Sequence, residues 1–112
     1  MKIHAITIDT ADPQKLAAWW AEALRIPVEN DYGDIVQLAS SPAFPPLQFQ
    51  YVKDVSEQLN RLHMDIRTSN LEEETCRLSR LGAVVVETFE LPQIRYCSLQ
   101  DPDGNKFDLI QE

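Results

Sequence analysis

The chain contains the same pattern twice, and this internal repeat constrains its fold more than any other feature. Residues 5–24 run from an alternating segment through a helix-capping position into a helical pattern, and residues 63–82 do the same. When the second segment is placed 58 positions after the first, matching positions carry similar residues: Ile8 and Ile66, Thr10 and Thr68, Asp12 and Asn70. A repeat of this kind predicts two copies of one supersecondary unit.

Each half contains one predicted helix with a recognisable start. Asp12 followed by Pro13 is typical of a helix N-terminus, because the aspartate side chain can accept a backbone hydrogen bond and proline needs none. Asn70 with Glu73 resembles a capping box, and Gly82 fits the position just beyond the second helix. Apolar residues at helical spacing predict two buried stripes: Leu16, Trp19, Trp20, Ala23 and Leu24, then Leu71, Leu78 and Leu81.

Alternating segments bounded by turn residues predict eight strands. Four fall in the first half and four in the second: 3–9, 28–30, 34–39 and 47–52, then 62–67, 84–89, 95–99 and 107–110. The polar stretch 53–60 fits a connector between them. The order βαβββ therefore occurs twice, which predicts an α+β fold. We expect one domain over residues 1–112, with module one at about 1–54 and module two at about 61–112.

One helix for every four strands cannot cover both faces of a sheet. In the predicted strand 62–67, His63, Asp65 and Arg67 point away from the apolar residues Leu62 and Met64, because side chains alternate along a strand. We expect the apolar sets to pack under the helices and the polar sets to line the uncovered face.

Composition excludes several classes of partner. The 112 residues carry 10 Lys and Arg against 18 Asp and Glu, a formal charge of −8, which disfavours nucleic acid and anionic membranes. No apolar run reaches the roughly 20 residues that span a bilayer, and the N-terminus lacks a signal-peptide pattern. Cys76 and Cys97 stand alone, so we interpret them as reduced core residues of a cytoplasmic protein.

Four segments together resemble the vicinal oxygen chelate superfamily, which includes glyoxalase I, bleomycin-resistance proteins and extradiol dioxygenases. The segments are IDTADP at 8–13, WWAEAL at 19–24, HMDIR at 63–67 and DPDGNKFDL at 101–109. The resemblance is strongest to the small bacterial glyoxalase-like proteins. It implies a cleft formed by two half-sheets, a small organic molecule as the ligand and a homodimer as the assembly.

The resemblance also implies a site for one divalent metal ion, with one ligand from the first and last strand of each module. Transferred position by position, the ligands are His63, Gln48 and Asp108, while the fourth position is Ala5, which has no donor atom. The other polar residues of the cleft are expected to contact the ligand: Thr7, Asp9, Gln50, Asp65 and Arg67. Aspartates on this face favour cationic ligands unless Arg67 reverses the local field.

The sequence leaves three functions open. With a metal, the protein would be a lyase- or isomerase-type member of the superfamily, and the incomplete ligand set argues against glyoxalase I activity. Without one, it would be a binding protein that sequesters a ligand, as bleomycin-resistance proteins do, or a structural or regulatory dimer. No motif assigns a catalytic residue. His63 also fits a histidine that is merely hydrogen-bonded to Asp65 or Arg67, and Asp108 fits a solvated strand carboxylate.

Overall fold

The computed structural model describes residues 1–57 and 60–112, so Gln58 and Leu59 of the predicted connector lie outside the described residues. The chain divides into two compact units. The first unit comprises residues 5–62, and the second unit comprises residues 1–4 and 63–112. The order βαβββ occurs twice along the chain, so the predicted α+β architecture is confirmed. Within the described ranges, neither helix is long and apolar enough to cross a membrane.

The first βαβββ segment begins with β1, followed by the helix α1 and three further strands. Their bounds are β1 Lys2–Thr10, α1 Pro13–Leu24, β2 Val28–Asp31, β3 Ile35–Leu38 and β4 Leu47–Tyr51. Strand β4 pairs in parallel with β1 and antiparallel with β3, and β3 pairs antiparallel with β2. A single 3-10 turn, Val55–Glu57, follows β4.

Helix α1 begins as predicted and packs on the strands through a stripe centred on Ala17. The Asp12 carboxylate accepts a hydrogen bond from the backbone N–H of Lys15 at 3.1 Å. Ala17 is fully buried in the core, with Trp20 packed against it, whereas Trp19 is 60% exposed. The prediction that both tryptophans pack inward was therefore wrong for Trp19. Adjacent helical residues lie about 100° apart, so Trp20 faces the core while Trp19 faces outward.

The second βαβββ segment repeats this arrangement. Its bounds are β5 Leu62–Thr68, α2 Leu71–Arg80, β6 Val84–Glu90, β7 Arg95–Gln100 and β8 Lys106–Gln111. Strand β8 pairs in parallel with β5 and antiparallel with β7, and β7 pairs antiparallel with β6. The core residues are Leu71, Cys97, Leu99 and Leu109.

Both ends of α2 follow the sequence signals, but its predicted apolar stripe is only partly buried. The Asn70 side chain accepts a hydrogen bond from the Glu73 N–H at 3.1 Å and donates one to the Glu73 carboxylate, which confirms the capping pair. Gly82 has a φ of +108°, as its place after the helix requires. Leu81, predicted to be buried, is exposed because it caps the helix beyond its last turn. Cys76 is likewise exposed on this helix, contrary to its predicted place in the core.

At the start of β5, the exposure of the two faces is the reverse of the expected arrangement, whereas Ile66 further along packs against the core as predicted. Leu62 and Met64 are exposed, whereas His63 and Asp65 are each only 4% exposed. The second helix packs mainly on β6, β7 and β8. The polar side chains at the start of β5 are therefore buried within the second unit, and they form part of the candidate site.

Candidate functional site

The register of β5, β8 and β7 places an acidic row across the second unit. Asp65 lies opposite Asp108, and Asp108 lies opposite Ser98. His63 shares this face, because it precedes Asp65 by two residues on the same strand. Side chains that are distant in sequence are thereby brought to one place by strand pairing alone.

His63 lies between the two carboxylates. Its Nε2 atom is 3.5 Å from Asp65 Oδ1 and 3.6 Å from Asp108 Oδ2. All three side chains are buried, and one potential ligand atom from each lies within 4.8 Å of the others. The opposite ring nitrogen, His63 Nδ1, is buried without a hydrogen-bond partner among the described residues. We call His63, Asp65 and Asp108 the acidic cluster.

Two further side chains contact the other carboxylate oxygen of Asp108, Oδ1. Ser98 Oγ donates a hydrogen bond of 2.6 Å to Asp108 Oδ1, and Lys106 Nζ lies 3.9 Å from the same oxygen. Because Oδ1 is engaged in this way, Oδ2 is the oxygen directed toward His63. Ser98 and Lys106 therefore orient the carboxylate within the acidic cluster.

The protonation of the acidic cluster follows from burial and mutual charge. Burial lowers the pKa of His63, but the hydrogen bond and charge of Asp65 and the charge of Asp108 outweigh it, so the His63 pKa is raised above 6.5. Burial also raises the Asp108 pKa above 3.8, and the nearby Asp65 adds to the effect despite the opposing influence of Ser98, Lys106 and His63. Two buried acids at one place disfavour full ionisation, and a cation between them relieves the conflict.

A second row lies beside the acidic one on the same face. Arg67 lies opposite Ile110, Ile110 opposite Tyr96, and Tyr96 opposite Phe89. The Tyr96 and Phe89 rings are stacked, with centroids 4.5 Å apart and planes inclined by 13°. Burial and the negative charges of Asp108, Glu87 and Asp65 raise the pKa of Tyr96 above 10.0. We call these four residues the aromatic row.

In the first unit, the corresponding face carries a chain of neutral hydrogen bonds. Asn30 donates to Gln37, Gln37 donates to Gln48, and the Gln48 amide donates to Thr7 Oγ1, at 3.1, 3.0 and 2.9 Å. The predicted ligand Gln48 thus uses both ends of its side-chain amide within the first unit. Its role as a metal ligand stays a prediction.

The remaining predicted site residues fall into both units. Ala5 and Asp9 are buried and Gln50 is half-buried in the first unit, whereas Arg67 is half-buried in the second. Asp65, predicted as a ligand contact, belongs to the acidic cluster. The sequence analysis did not identify Ser98 or Tyr96 as residues of the site. Side-chain alternation in β7 places both on the polar face. Only the strand register shows that Ser98 lies opposite Asp108 and that Tyr96 is connected to Arg67 through Ile110.

The exposed Trp19 has a different setting, on the outside of α1. It lines a shallow groove of about 480 Å³. The other lining residues include Leu16 and the charged side chains Asp12, Lys15 and Glu22. The groove belongs entirely to the first unit and shares no residue with the acidic cluster.

Comparisons with known proteins agree with this architecture. A family model described as glyoxalase-like domain matches residues 5–110. No curated protein matches the chain in sequence. Among solved structures, a glyoxalase/bleomycin resistance protein/dioxygenase superfamily member from Vibrio splendidus 12B01 is similar, with a TM-score of 0.70 and 13% identity over 96% of this chain and 97% of that one.

Two more solved structures have the same fold. A methylmalonyl-CoA epimerase variant from Streptomyces coelicolor, in complex with 2-nitronate-propionyl-CoA, has a TM-score of 0.63 and 14% identity over 100% and 97% of the two chains. A chain described as an NAD-dependent benzaldehyde dehydrogenase from Legionella pneumophila has a TM-score of 0.78 and 8% identity over 96% of each. The repeated βαβββ order and the family match together show that the chain belongs to the glyoxalase-like family of the vicinal oxygen chelate superfamily.

Proposed function

We propose that the acidic cluster binds one divalent metal ion and that the protein uses it to bind a small, oxygen-bearing organic molecule. The observation that carries this proposal is the spacing of the three donors. The distances from His63 Nε2 to the two carboxylate oxygens are 3.5 and 3.6 Å. Donors at about 2.0–2.2 Å from a tetrahedral zinc ion are separated by roughly 3.3–3.6 Å, so both separations from His63 Nε2 fit such an ion. One donor atom from each of the three residues lies within 4.8 Å of the others.

The donor types narrow the choice of metal. One imidazole with two carboxylates suits zinc, manganese, iron or nickel, whereas calcium and magnesium prefer sites made of oxygen alone. Asp65 supplies the third donor in this proposal, in place of the sequence-based assignment of Gln48. All three donors come from one unit, and two come from the same strand face.

The surrounding residues prepare the site for its ligand. Bound in the acidic cluster, a divalent ion would supply Lewis-acid polarisation of a ligand oxygen. Ser98 holds Asp108 in the orientation that directs Oδ2 inward, and burial of the cluster strengthens each electrostatic contact. Tyr96 and Phe89 provide a flat apolar surface beside the donors, where part of an organic ligand can pack.

A metal-free binding protein is the second candidate, and one observation favours it. The raised pKa of His63 means that a protonated imidazole can itself supply the positive charge between the two carboxylates. In that case, the aromatic row would still offer a surface for a sequestered ligand. The two candidates differ in whether the acidic cluster exchanges its proton for a metal.

Metal titration separates them. Protein stripped of metal and refilled with Zn²⁺, Mn²⁺, Fe²⁺ or Ni²⁺ is expected to bind one ion per chain, measured by calorimetry and elemental analysis. His63→Ala and Asp65→Asn should abolish this binding, while His4→Ala, the chain's other histidine, should retain it. Failure of every metal to bind the wild-type protein stoichiometrically would contradict the proposal and favour the metal-free alternative.

A further inference from the structure

We infer that the second unit recognises a carboxylate-bearing ligand with a planar or apolar body, and that Arg67 binds the carboxylate. This inference rests on the proposed function for the metal that would meet the ligand's other oxygen. The contact between the carboxylate and Arg67 is separate from that metal and can be measured without it.

Arg67 is placed to receive an anion at the edge of the acidic cluster. It lies on the same face of β5 as His63 and Asp65, two residues beyond Asp65. Its Nε atom is buried and has no hydrogen-bond partner among the described residues. A donor without an acceptor is costly, and because the Arg67 side chain as a whole is only half-buried, a ligand carboxylate that engages the guanidinium would supply the missing acceptor. The planar guanidinium also matches the two oxygens of a carboxylate better than an ammonium group does.

The aromatic row determines the size and shape of the ligand body. From Arg67 the row crosses β8 at Ile110 and reaches Tyr96 on β7. Neighbouring strands are about 4.8 Å apart, so Arg67 and Tyr96 are separated by roughly 10 Å of sheet. That span matches one substituted ring or a short branched chain, with its flat part against the stacked Tyr96 and Phe89.

The local charge also favours an anion once the metal is present. The carboxylates of Asp65, Asp108 and Glu87, the last opposite Ser98, exceed the cations Arg67 and Lys106 by one. A bound divalent ion therefore leaves one positive charge in excess. A positively charged, buried site attracts anions. The net charge of −8 for the whole chain therefore does not describe this face.

The test compares an acid with its uncharged ester. Benzoylformate and methyl benzoylformate are titrated calorimetrically into the full chain, with and without Zn²⁺. The wild-type protein should bind the acid at least tenfold more tightly than the ester. Arg67→Gln should weaken binding of the acid by about ten- to hundredfold, the usual effect of losing one charge-assisted hydrogen bond, and leave the ester unchanged. Arg80→Gln, which changes an exposed arginine of α2, should have no effect.

Three results would overturn the inference. They are no binding of benzoylformate at millimolar concentration, equal affinity of the wild-type protein for acid and ester, and unchanged affinity in folded Arg67→Gln. Arg67→Lys, which keeps the charge but loses the planar fork, should give an intermediate affinity and serves as the readout if Arg67→Gln does not fold. Failure to bind metal would instead contradict the proposed function, and the acid–ester comparison in metal-free protein would still decide the role of Arg67.

Discussion

Asp65 and Asp108 lie directly opposite each other on the parallel strands β5 and β8. The repeat-related positions of the first half, Thr7 and Gln48, lie opposite each other on β1 and β4 in the same way. There the pair is neutral, and Gln48 Nε2 donates a hydrogen bond of 2.9 Å to Thr7 Oγ1. The same pairing between strands therefore places two neutral, hydrogen-bonded side chains together in the first unit and two carboxylic acids together in the second. Only the second pair requires a proton or a cation between its members.

The first prediction concerns Ser98, which orients Asp108. Ser98→Ala removes the 2.6 Å hydrogen bond to Asp108 Oδ1 and frees the carboxylate to rotate. Groups that orient a metal ligand in this way typically change metal affinity by 10–100-fold, so we expect zinc affinity to fall by about that factor. Calorimetric titration measures it. Ser79→Ala, an exposed serine of α2, is the matched control, and equal affinities in the two variants would contradict the role given to Ser98.

The second prediction follows from the raised pKa of Asp108. Burial and the neighbouring Asp65 favour the protonated carboxyl, so its stabilising contribution is full below pH 3.8 and is lost as pH rises through the folded-state pKa. In metal-free protein at pH 7, Asp108→Asn should therefore have a higher Tm than the wild type. In a domain of 112 residues, 1 kcal/mol shifts Tm by about 4 °C, so even a small gain is measurable.

Two controls make the Asp108 result specific. The advantage of Asp108→Asn should disappear below pH 3.8, where both side chains are uncharged. Asp103→Asn, in the exposed turn before β8, should not reproduce it. A metal-free Asp108→Asn protein that is less stable than the wild type at pH 7 would mean that the ionised carboxylate is favoured after all.

The order of helices and strands along the chain and the starts of both helices could be predicted from the sequence, because their signals are local. Asp12 with Pro13 and Asn70 with Glu73 each act within one turn of helix, and the structure contains both caps. The inward face of α1 could not be predicted in this way. Trp19 and its neighbour both fit helical spacing, and only the packing of Ala17 against the strands decides between them.

The sequence predicted which site residues share a face of one strand, but not which residues of other strands lie opposite them. His63 and Asp65 share a face because side chains alternate, which the sequence alone indicates. That Asp108 meets Asp65, and that Ser98 then meets Asp108, depends on pairings between strands far apart in sequence. A serine within an alternating strand has no distinguishing signal until its cross-strand partner is known.

The third prediction concerns the pH dependence that His63 confers. Burial lowers its pKa, but Asp65 and Asp108 together raise it above 6.5, so the protonated imidazole stabilises the folded state. That contribution is full below pH 6.5 and is lost as pH rises through the folded-state pKa. In metal-free protein, urea unfolding should show the stability advantage of wild type over His63→Gln shrinking from pH 5.5 to pH 8.5.

The other histidine provides the comparison for this experiment. His4→Gln removes a half-buried histidine that is not a member of the acidic cluster, and it serves as the matched histidine substitution. A difference between wild type and His63→Gln that stays constant over this pH range would show that His63 does not change protonation between its two carboxylates.

The fourth prediction tests the packing beneath the acidic cluster. Leu109 follows Asp108 on β8, points to the opposite face and is 0% exposed in the core of the second unit. Leu109→Ala should lower the free energy of unfolding by about 2–5 kcal/mol, because it removes buried methyl groups and leaves a cavity. Leu81→Ala is the matched control, since Leu81 is 67% exposed, and it should change stability by no more than about 0.5 kcal/mol. Urea denaturation of both variants gives the two values. Similar losses would mean that Leu81 is buried in solution, as helical spacing alone predicted. The surface that α2 covers would then extend beyond its contacts with β6, β7 and β8.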